Sequence, residues 1–407
     1  MARSPDPPDS RRRILYIQYT NPGNYPPLEH SAHILAREGW NVLFVGTSKP
    51  EEPLQIQAHS RINVKRIAFC PAGWRQKFHY VFFSLWASGW AILFRPQWIY
   101  ASDPLASLPA WIGSSLVGVR VVYHEHDSPG ADGQEDAAVY RSSFKQLVLW
   151  MRKELMRRAQ ILIWPNRERI EPSMSGGGED GHIFCVWNCP SRGEVLPPRV
   201  PWKGGGFRLL YHGSIVPGRL PQVVLEALTA LPEFVKLRII GFETAGSKGY
   251  IHQLQAVAAR LCVEQRVELV GILPTRVELL RSSTECDVGL SLMPRRAQDV
   301  NLHWMVGASN KPFDYLACGL ALLVSDLPEW KKAYVEPGYG LACDPDDPAS
   351  IAQAIRWFLE HPDQMRAMGE RGRQRILEEW NYERQFAPIF EQLEKVFGEC
   401  QEVIPHG

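Results

Sequence analysis

Twenty residues, Ser309 to Pro328 (SNKPFDYLACGLALLVSDLP), constrain this chain more than any other stretch. They spell a polar turn, a short helix from about Pro312 to Ala317, a glycine stop, and a buried strand from Leu320 to Val324. Pro312 suits a first helical turn, where its missing N–H would lack a partner anyway, and Gly319 suits the C-terminal cap. Free N–H groups and the positive dipole end make such a helix start a ready anion site. Lys311 and Asp314 are three apart, so both can face one ligand from one helix side. A cation for phosphate and a carboxylate for ribose hydroxyls is what a nucleotide-diphosphate sugar needs. The alternative is a Rossmann-like helix on which Lys311 and Asp314 pair at the surface, and residue types alone favour it.

With 407 residues and 45% hydrophobic content, the chain can build two domains of ordinary size. Its 45 basic and 44 acidic residues nearly cancel, which gives no overall field for nucleic acid. Fourteen tryptophans and 32 prolines suit loops that meet flat sugar faces or a membrane interface. Of eight cysteines only Cys185 and Cys189 lie close, without zinc-site spacing. With no visible signal peptide, a reduced cytoplasmic compartment is expected. The Pro/Asp/Ser-rich residues 1–10 read as a disordered tail.

Along the chain, Ile14 to Tyr19 is an apolar run that suits a buried parallel strand. A turn (Thr20 to Pro27, with Gly23 and Asn24), a helix from about Leu28 to Glu38 and a strand at Asn41 to Gly46 complete a βαβ opening. Ligands of such sheets sit at the carboxyl ends of the strands. No G-x-G-x-x-G is present to support a dinucleotide site. Tyr80 to Phe94 is nearly all apolar, but its fifteen residues fall short of the roughly 20 that span a bilayer. A helix packed on the sheet is expected, with interfacial membrane contact as the second reading. Trp98 to Ala101 is a strand with Asp103 at its carboxyl end, followed by a helix from about Ala106 to Val117.

The next strand, from Val119, runs out into Tyr123-His124-Glu125-His126-Asp127. Alternation puts His124 and His126 on one side and Glu125 and Asp127 on the other. A metal pair, a polar structural strand end and an active-site end are all compatible with this pattern; no third metal ligand is identifiable. Arg141 to Arg158 reads as an amphipathic helix with Phe144, Leu147 or Val148, Met151 and Leu155 as its apolar stripe. Arg141, Lys145, Arg152, Arg157 and Arg158 form a basic face, either solvated or set beside anionic lipid. Ser173 to Asp180, with three consecutive glycines, lacks a following lysine and helix and reads as a surface loop. Ser191 to Gly206 is Pro/Gly-rich and carries the expected domain boundary.

The second half opens again with a strand and glycine turn, Phe207 to Ser214, then Ile215 to Arg219 and a helix from about Pro221 to Ala230. Gly213 permits close approach of phosphate to backbone, and Arg219 can clamp it with parallel N–H bonds. Asp344-Pro345-Asp346-Asp347-Pro348 contains an Asp-x-Asp, but Asp347 is more simply the cap of a helix from Ala349 to Leu359.

The stretch SNKPFDYLACGLALLVSDLPEW resembles the donor-site segment of retaining GT-B glycosyltransferases, the group 4 family (glycosyl transferases group 1 type). The resemblance implies two Rossmann-like α/β domains facing across a cleft: 11–195 on the acceptor side, 206–379 holding the nucleotide sugar, and 380–400 as a helix returning to brace the first. It implies a metal-independent hexosyltransferase with no cofactor beyond a UDP- or GDP-linked sugar, probing Gly23, Asn24 and Asp103 as cleft-loop neighbours. Gly213, Ser214, Arg219, Asn310 and Lys311 would bind the diphosphate, Asp314 the ribose, and Gly271, Ile272 and Leu273 the nucleobase. The family's strand end Tyr-x-x-His-Glu falls on Tyr123 and His126-Asp127, which makes His126 and Asp127 catalytic candidates, with His124 as the fallback. The acceptor would be a glycan or lipid-linked glycan of cell-surface polysaccharide biosynthesis, with peripheral contact at an anionic membrane. One departure is Val306, eight residues before Asp314, where many members carry a glutamate that contacts the donor sugar; Asn301 or His303 are candidate replacements. A nucleotide-sugar 2-epimerase, a non-catalytic GT-B subunit of a polysaccharide assembly complex, and a metal hydrolase on His124/His126 are the alternatives.

Overall fold

The computed structural model describes residues 12–49, 54–129, 143–170, 182–197, 206–297 and 299–402. The Met1–Ser10 tail, Arg141, the Ser173–Asp180 loop and the later part of the Pro/Gly stretch lie outside the described residues. The chain forms two compact units. One comprises the chain up to Trp187, the insert Asp299–Trp304 and the chain from Tyr382 onward; the other comprises Asn188–Gln298 and Met305–Asn381.

The first unit is built on seven strands: β1 (Arg13–Gln18), β2 (Asn41–Ser48), β3 (Ile62–Ala68), β4 (Trp98–Ser102), β5 (Arg120–His124), β6 (Ile161–Trp164) and β7 (Ile183–Cys185). They pair in parallel in the order β3-β2-β1-β4-β5-β6-β7. Strand alternation divides the core in two. Ile14 and Tyr16 face a cluster with Leu28, Leu35, Phe386 and Ile389, while Leu15 and Ile17 face one with Tyr80, Phe83, Ala87, Val148 and Leu155. Burial on both faces is why these strands read as continuous apolar runs. The final helix, Tyr382–Glu402, inserts Tyr382, Phe386, Ile389 and Leu393 at three- and four-residue spacing. Its Glu394 accepts from Trp40 Nε1 at 2.8 Å and Arg12 at 3.1 Å.

The second unit carries six parallel strands: β8 (Phe207–Ile215), β9 (Val235–Glu243), β10 (Val267–Gly271), β11 (Val288–Ser291), β12 (Ala321–Ser325) and β13 (Gly340–Cys343), ordered β10-β9-β8-β11-β12-β13. In each sheet the chain reverses direction of progress once, between β1 and β4 and between β8 and β11. Open α/β sheets bind ligands in the crevice at such a switch point, outside the strand carboxyl ends.

Several elements differ from the sequence reading. The apolar helix runs from Trp74 to Phe94, 21 residues, because Arg75, Gln76 and Lys77 hide its first turns in the sequence. Arg152 leaves the basic face assigned to the Ser143–Arg158 helix and is buried, as are Val148, Met151 and Leu155, while Leu147 is exposed. The edge strand β3 and the helices Tyr250–Arg260, Arg276–Ser283 and Pro362–Glu378 have no counterpart in that reading. Asp347 does cap Pro348–Glu360, accepting from the Ala349 and Ser350 amides at 2.9 and 3.2 Å.

Packing against the Asn310–Ala317 helix is tight. A Cβ on Gly369 would lie 2.1 Å from the Gly319 carbonyl oxygen, a backbone atom that cannot swing away. Gly369→Ala should therefore cost about 1–3 kcal/mol of stability, read as a lower urea midpoint. An unchanged midpoint would mean this helix pair can separate freely.

Candidate functional site

At the switch point of the second sheet, β8 ends in His212-Gly213-Ser214, and the helix Asn310–Ala317 comes after β11. Gly213 has φ +105°, and a Cβ there would sit 3.2 Å from Lys311 Cε and 3.3 Å from Nζ. The positive φ favours glycine here, and any Cβ would push the lysine end back by a few tenths of an ångström. Lys311 is 6% exposed, and among the described residues no carboxylate lies within 4.0 Å of its ammonium. Its Nζ lies over the Tyr211 ring, 5.4 Å from the centroid. Burial, then the charge of Arg219, hold Lys311 well below the usual lysine pKa, with Asp314 partly opposing. Thus Lys311 and Arg219 share one neighbourhood around Tyr211, which also feels Arg219. Arg219 Nε and Ser309 Oγ are buried without hydrogen-bond partners. Asn310 is the first helical residue, and its cap Ser309 makes no side-chain capping bond. Two cations and a helix start with unmet polar atoms form an environment that favours a multivalent anion.

Asp314 does something other than wait for a ribose. It is 1% exposed, and its oxygens accept from Arg276 at 2.9 and 3.4 Å. Arg276 also donates to Glu194 at 2.6 and 3.3 Å, so one guanidinium ties two carboxylates together. His212 Nε2 is 3.5 Å from Asp314, but burial, Lys311 and Arg276 keep this imidazole neutral, so the contact is no ion pair. Neither Arg276 nor Glu194 carries a local sequence signal, because they lie 82 residues apart in the chain. Gly271, Ile272 and Leu273 stand at the carboxyl end of β10, before the Thr275 capping box that opens Arg276–Ser283. Gly271 has φ +82°, and Ile272 is exposed.

In the first unit, the switch point gathers a different set. Asp103 directly follows β4 with φ +66°, a positive-φ conformation rare outside glycine. Its N–H donates to the His124 carbonyl at 2.9 Å, and its carboxylate accepts from the His126 N–H at 2.9 Å and Gln18 Nε2 at 3.5 Å. The His124 and His126 rings lie 4.0 Å apart by centroid, as alternation requires, and Tyr25 stands 5.0 Å from His126. His124 is fully buried with Nδ1 2.6 Å from the Tyr100 hydroxyl, which makes it a packing residue. His126 retains a small exposure and a buried Nε2 with no partner. Asp127 is exposed and sits 3.3 Å from Arg169.

Glu125 is the surprise of this strand end. It is buried and receives Arg152 Nε and Nη2 at 2.5 and 2.8 Å, Tyr123 Oη at 2.7 Å and Trp164 Nε1 at 3.3 Å. Asn301, a candidate replacement for the missing glutamate, is committed elsewhere: its amide brackets Ser128, accepting at 2.7 Å and donating at 3.1 Å. Arg169 fixes this insert by donating to the carbonyls of Asn301, Trp304 and His126 at 2.6, 2.9 and 2.7 Å. His303 is exposed. Gly23 is a packing glycine, since a Cβ would meet the Leu54 carbonyl at 2.9 Å, and Asn24 is exposed beside it. Among the described residues no group of three or more His, Cys, Asp or Glu is placed to hold a metal ion.

Two of these groups titrate in opposite senses. Burial first, then nearby Asp127 and Glu125, raise Asp103 to about 7 despite the His126 amide bond. Its stabilising effect is therefore complete below the ordinary carboxyl pKa of about 4 and is lost as pH rises through about 7. Burial lowers His126 to about 4, so its effect is complete above about 6.5 and is lost as pH falls through about 4. The stability of the wild type relative to Asp103→Asn should fall between pH 4 and 7, and relative to His126→Gln should rise between pH 4 and 6.5. Urea midpoints across that range test both, and a flat difference would refute the assignment.

Two doubly wound parallel sheets, each with a polar cluster at its switch point, define the GT-B class of α/β architecture. Residues 28–169 match the family model described as glycosyl transferase 4-like domain, and residues 219–391 that described as glycosyl transferase-like. The chain thus belongs to the glycosyltransferases of the group 1 type. Among solved structures it resembles sucrose-phosphate synthase from Thermosynechococcus elongatus, with a TM-score of 0.69 and 15% identity over 96% of this chain and 100% of that one. HepE of Anabaena, in complex with UDP and glucose, gives 0.66 and 16% over 94% and 100%. WaaG, a glycosyltransferase involved in lipopolysaccharide biosynthesis, gives 0.58 and 14% over 95% and 100%. A search of curated proteins by sequence found no match.

Proposed function

We propose that this glycosyltransferase takes a UDP-linked sugar as donor and transfers it with retention at the anomeric carbon. The observation that carries the proposal is the buried Lys311 amino group, with no carboxylate within 4.0 Å among the described residues, lying against Gly213 in the neighbourhood of Arg219. As the glycosidic bond breaks, charge develops on the leaving diphosphate. Arg219, Lys311 and the start of the Asn310–Ala317 helix stabilise that charge as preorganised donors and need no metal ion for it. UDP is favoured over GDP because HepE was solved with UDP and glucose. Gly271 to Leu273 receive the base. Asp314, whose oxygens already hold Arg276, contributes to the ribose site chiefly by fixing that guanidinium. His126 retains the role of contacting the reacting sugar, supported by its unpartnered Nε2. The acceptor is a glycan or lipid-linked glycan of cell-surface polysaccharide, met at the cytoplasmic face of a membrane; WaaG, of like fold, acts in lipopolysaccharide biosynthesis.

The test is a panel of nucleotide sugars assayed for released nucleoside diphosphate, with and without chelator. UDP release that survives chelator, with the donor's anomeric configuration kept in the product, is the expected result. Chelator-sensitive turnover, inversion, or binding of nucleotide without any turnover would each overturn part of the proposal.

A further inference from the structure

The Trp74–Phe94 helix buries one face and leaves the other uncovered. Tyr80, Phe83, Ala87 and Ala91 pack on the sheet, and Ser84 and Ser88 satisfy their hydroxyls on the carbonyls one turn back, at 2.8 and 2.7 Å. On the opposite side Phe78, Val81, Phe82, Leu85, Ile92 and Leu93 are exposed, from 48% at Ile92 to 74% at Leu93. Their spacing keeps them on one stripe of the helix. The neighbouring Ser143–Arg158 helix meets this one through Phe144, edge-on to Tyr80 at 5.3 Å, and exposes Leu147 and Trp150. A contiguous apolar surface of this kind marks an interaction site rather than ordinary surface scatter.

The charges around it select the occupant. From Leu54 to Ser102 the chain has six Lys or Arg and no Asp or Glu. Arg75 and Lys77 stand exposed at one end of the stripe and Arg95 at the other, with Lys153 on the neighbouring helix. A second copy seated on this face would bring basic ends against basic ends. An anionic bilayer meets both demands, with acyl chains for the stripe and headgroup phosphates for the cations. Crossing the bilayer is not in question, since among the described residues no helix is long and apolar enough to span one.

We propose that the exposed face of Trp74–Phe94 is a docking surface for anionic membrane, with the helix lying in the interface and its buried face still on the sheet. This placement stands apart from the donor reading, because it needs neither nucleotide nor turnover. The experiment is sedimentation of the full chain with phosphatidylcholine vesicles and with vesicles that also contain phosphatidylglycerol, no nucleotide being present. Wild type should bind the anionic vesicles strongly and the neutral ones weakly. Phe82→Ser with Leu85→Ser should weaken binding by at least about tenfold, and Arg75→Gln with Lys77→Gln by about tenfold on anionic vesicles only. Both variants should melt like wild type, since only exposed side chains change. No sedimentation of wild type with anionic vesicles would overturn the proposal. So would a serine variant that melts like wild type and binds as well, or a concentration-dependent dimer that the serine variant abolishes.

Discussion

Lys311→Met should make the ligand-free protein more stable and the enzyme nearly inactive. Removing a buried amino group that has no carboxylate within 4.0 Å among the described residues relieves a desolvation cost, and a thioether of similar length fills the space against Gly213 and Tyr211. A gain of about 1–3 kcal/mol in urea unfolding is expected. The same change deletes one of two cations proposed to meet the diphosphate, so kcat/KM should fall by about a hundredfold to a thousandfold. The thermal shift that UDP gives the wild type should disappear. Because burial and Arg219 hold the Lys311 pKa well down, an arriving anion should draw a proton onto it. UDP titrations in buffers of different ionisation heat should therefore report proton uptake by wild type and none by the Met variant. If Lys311→Met instead destabilises the fold and binds UDP normally, this lysine is a structural residue and the diphosphate lies elsewhere.

Breaking the Glu125–Arg152 pair should be the most damaging substitution in the first unit. Both side chains are at most 2% exposed, and Glu125 also gathers Tyr123 and Trp164. Glu125→Gln leaves a buried guanidinium without its counter-ion, which costs about 3–5 kcal/mol. Replacing both partners, Glu125→Leu with Arg152→Met, should recover most of that loss, because two buried charges and their desolvation disappear together. Urea midpoints of the single and double variants decide the matter. A double variant as unstable as the single would mean that Tyr123 and Trp164 depend on the carboxylate more than Arg152 does. Since Glu125 lies between the two histidines, the single variant should also displace His126, visible as an altered imidazole titration by NMR.

Much of the architecture was legible in the chain. The apolar runs at Ile14, Trp98 and Leu320 announced buried parallel strands, and Pro312 and Gly319 bracketed a helix that runs from Asn310 to Ala317. Edge strand β3 escaped notice because one side faces solvent, which dilutes its apolar signal. The first turns of Trp74–Phe94 escaped because polar residues begin a helix whose apolar character appears only later. At the strand end, alternation correctly paired His124 with His126, but burial demoted His124 to a partner of Tyr100.

What the sequence determined by itself was local: periodicity, caps, glycine positions, and the family to which the two halves belong. Which charges are paired was decided only by tertiary structure. Arg152 looked like part of a basic helix face and is instead a buried counter-ion; Asp314 looked free for ribose and is held by Arg276; Asn301 looked available for a sugar and brackets Ser128. Each partner comes from a distant part of the chain, and a charge takes its energy from burial and from what lies within a few ångströms. Sequence spacing records neither.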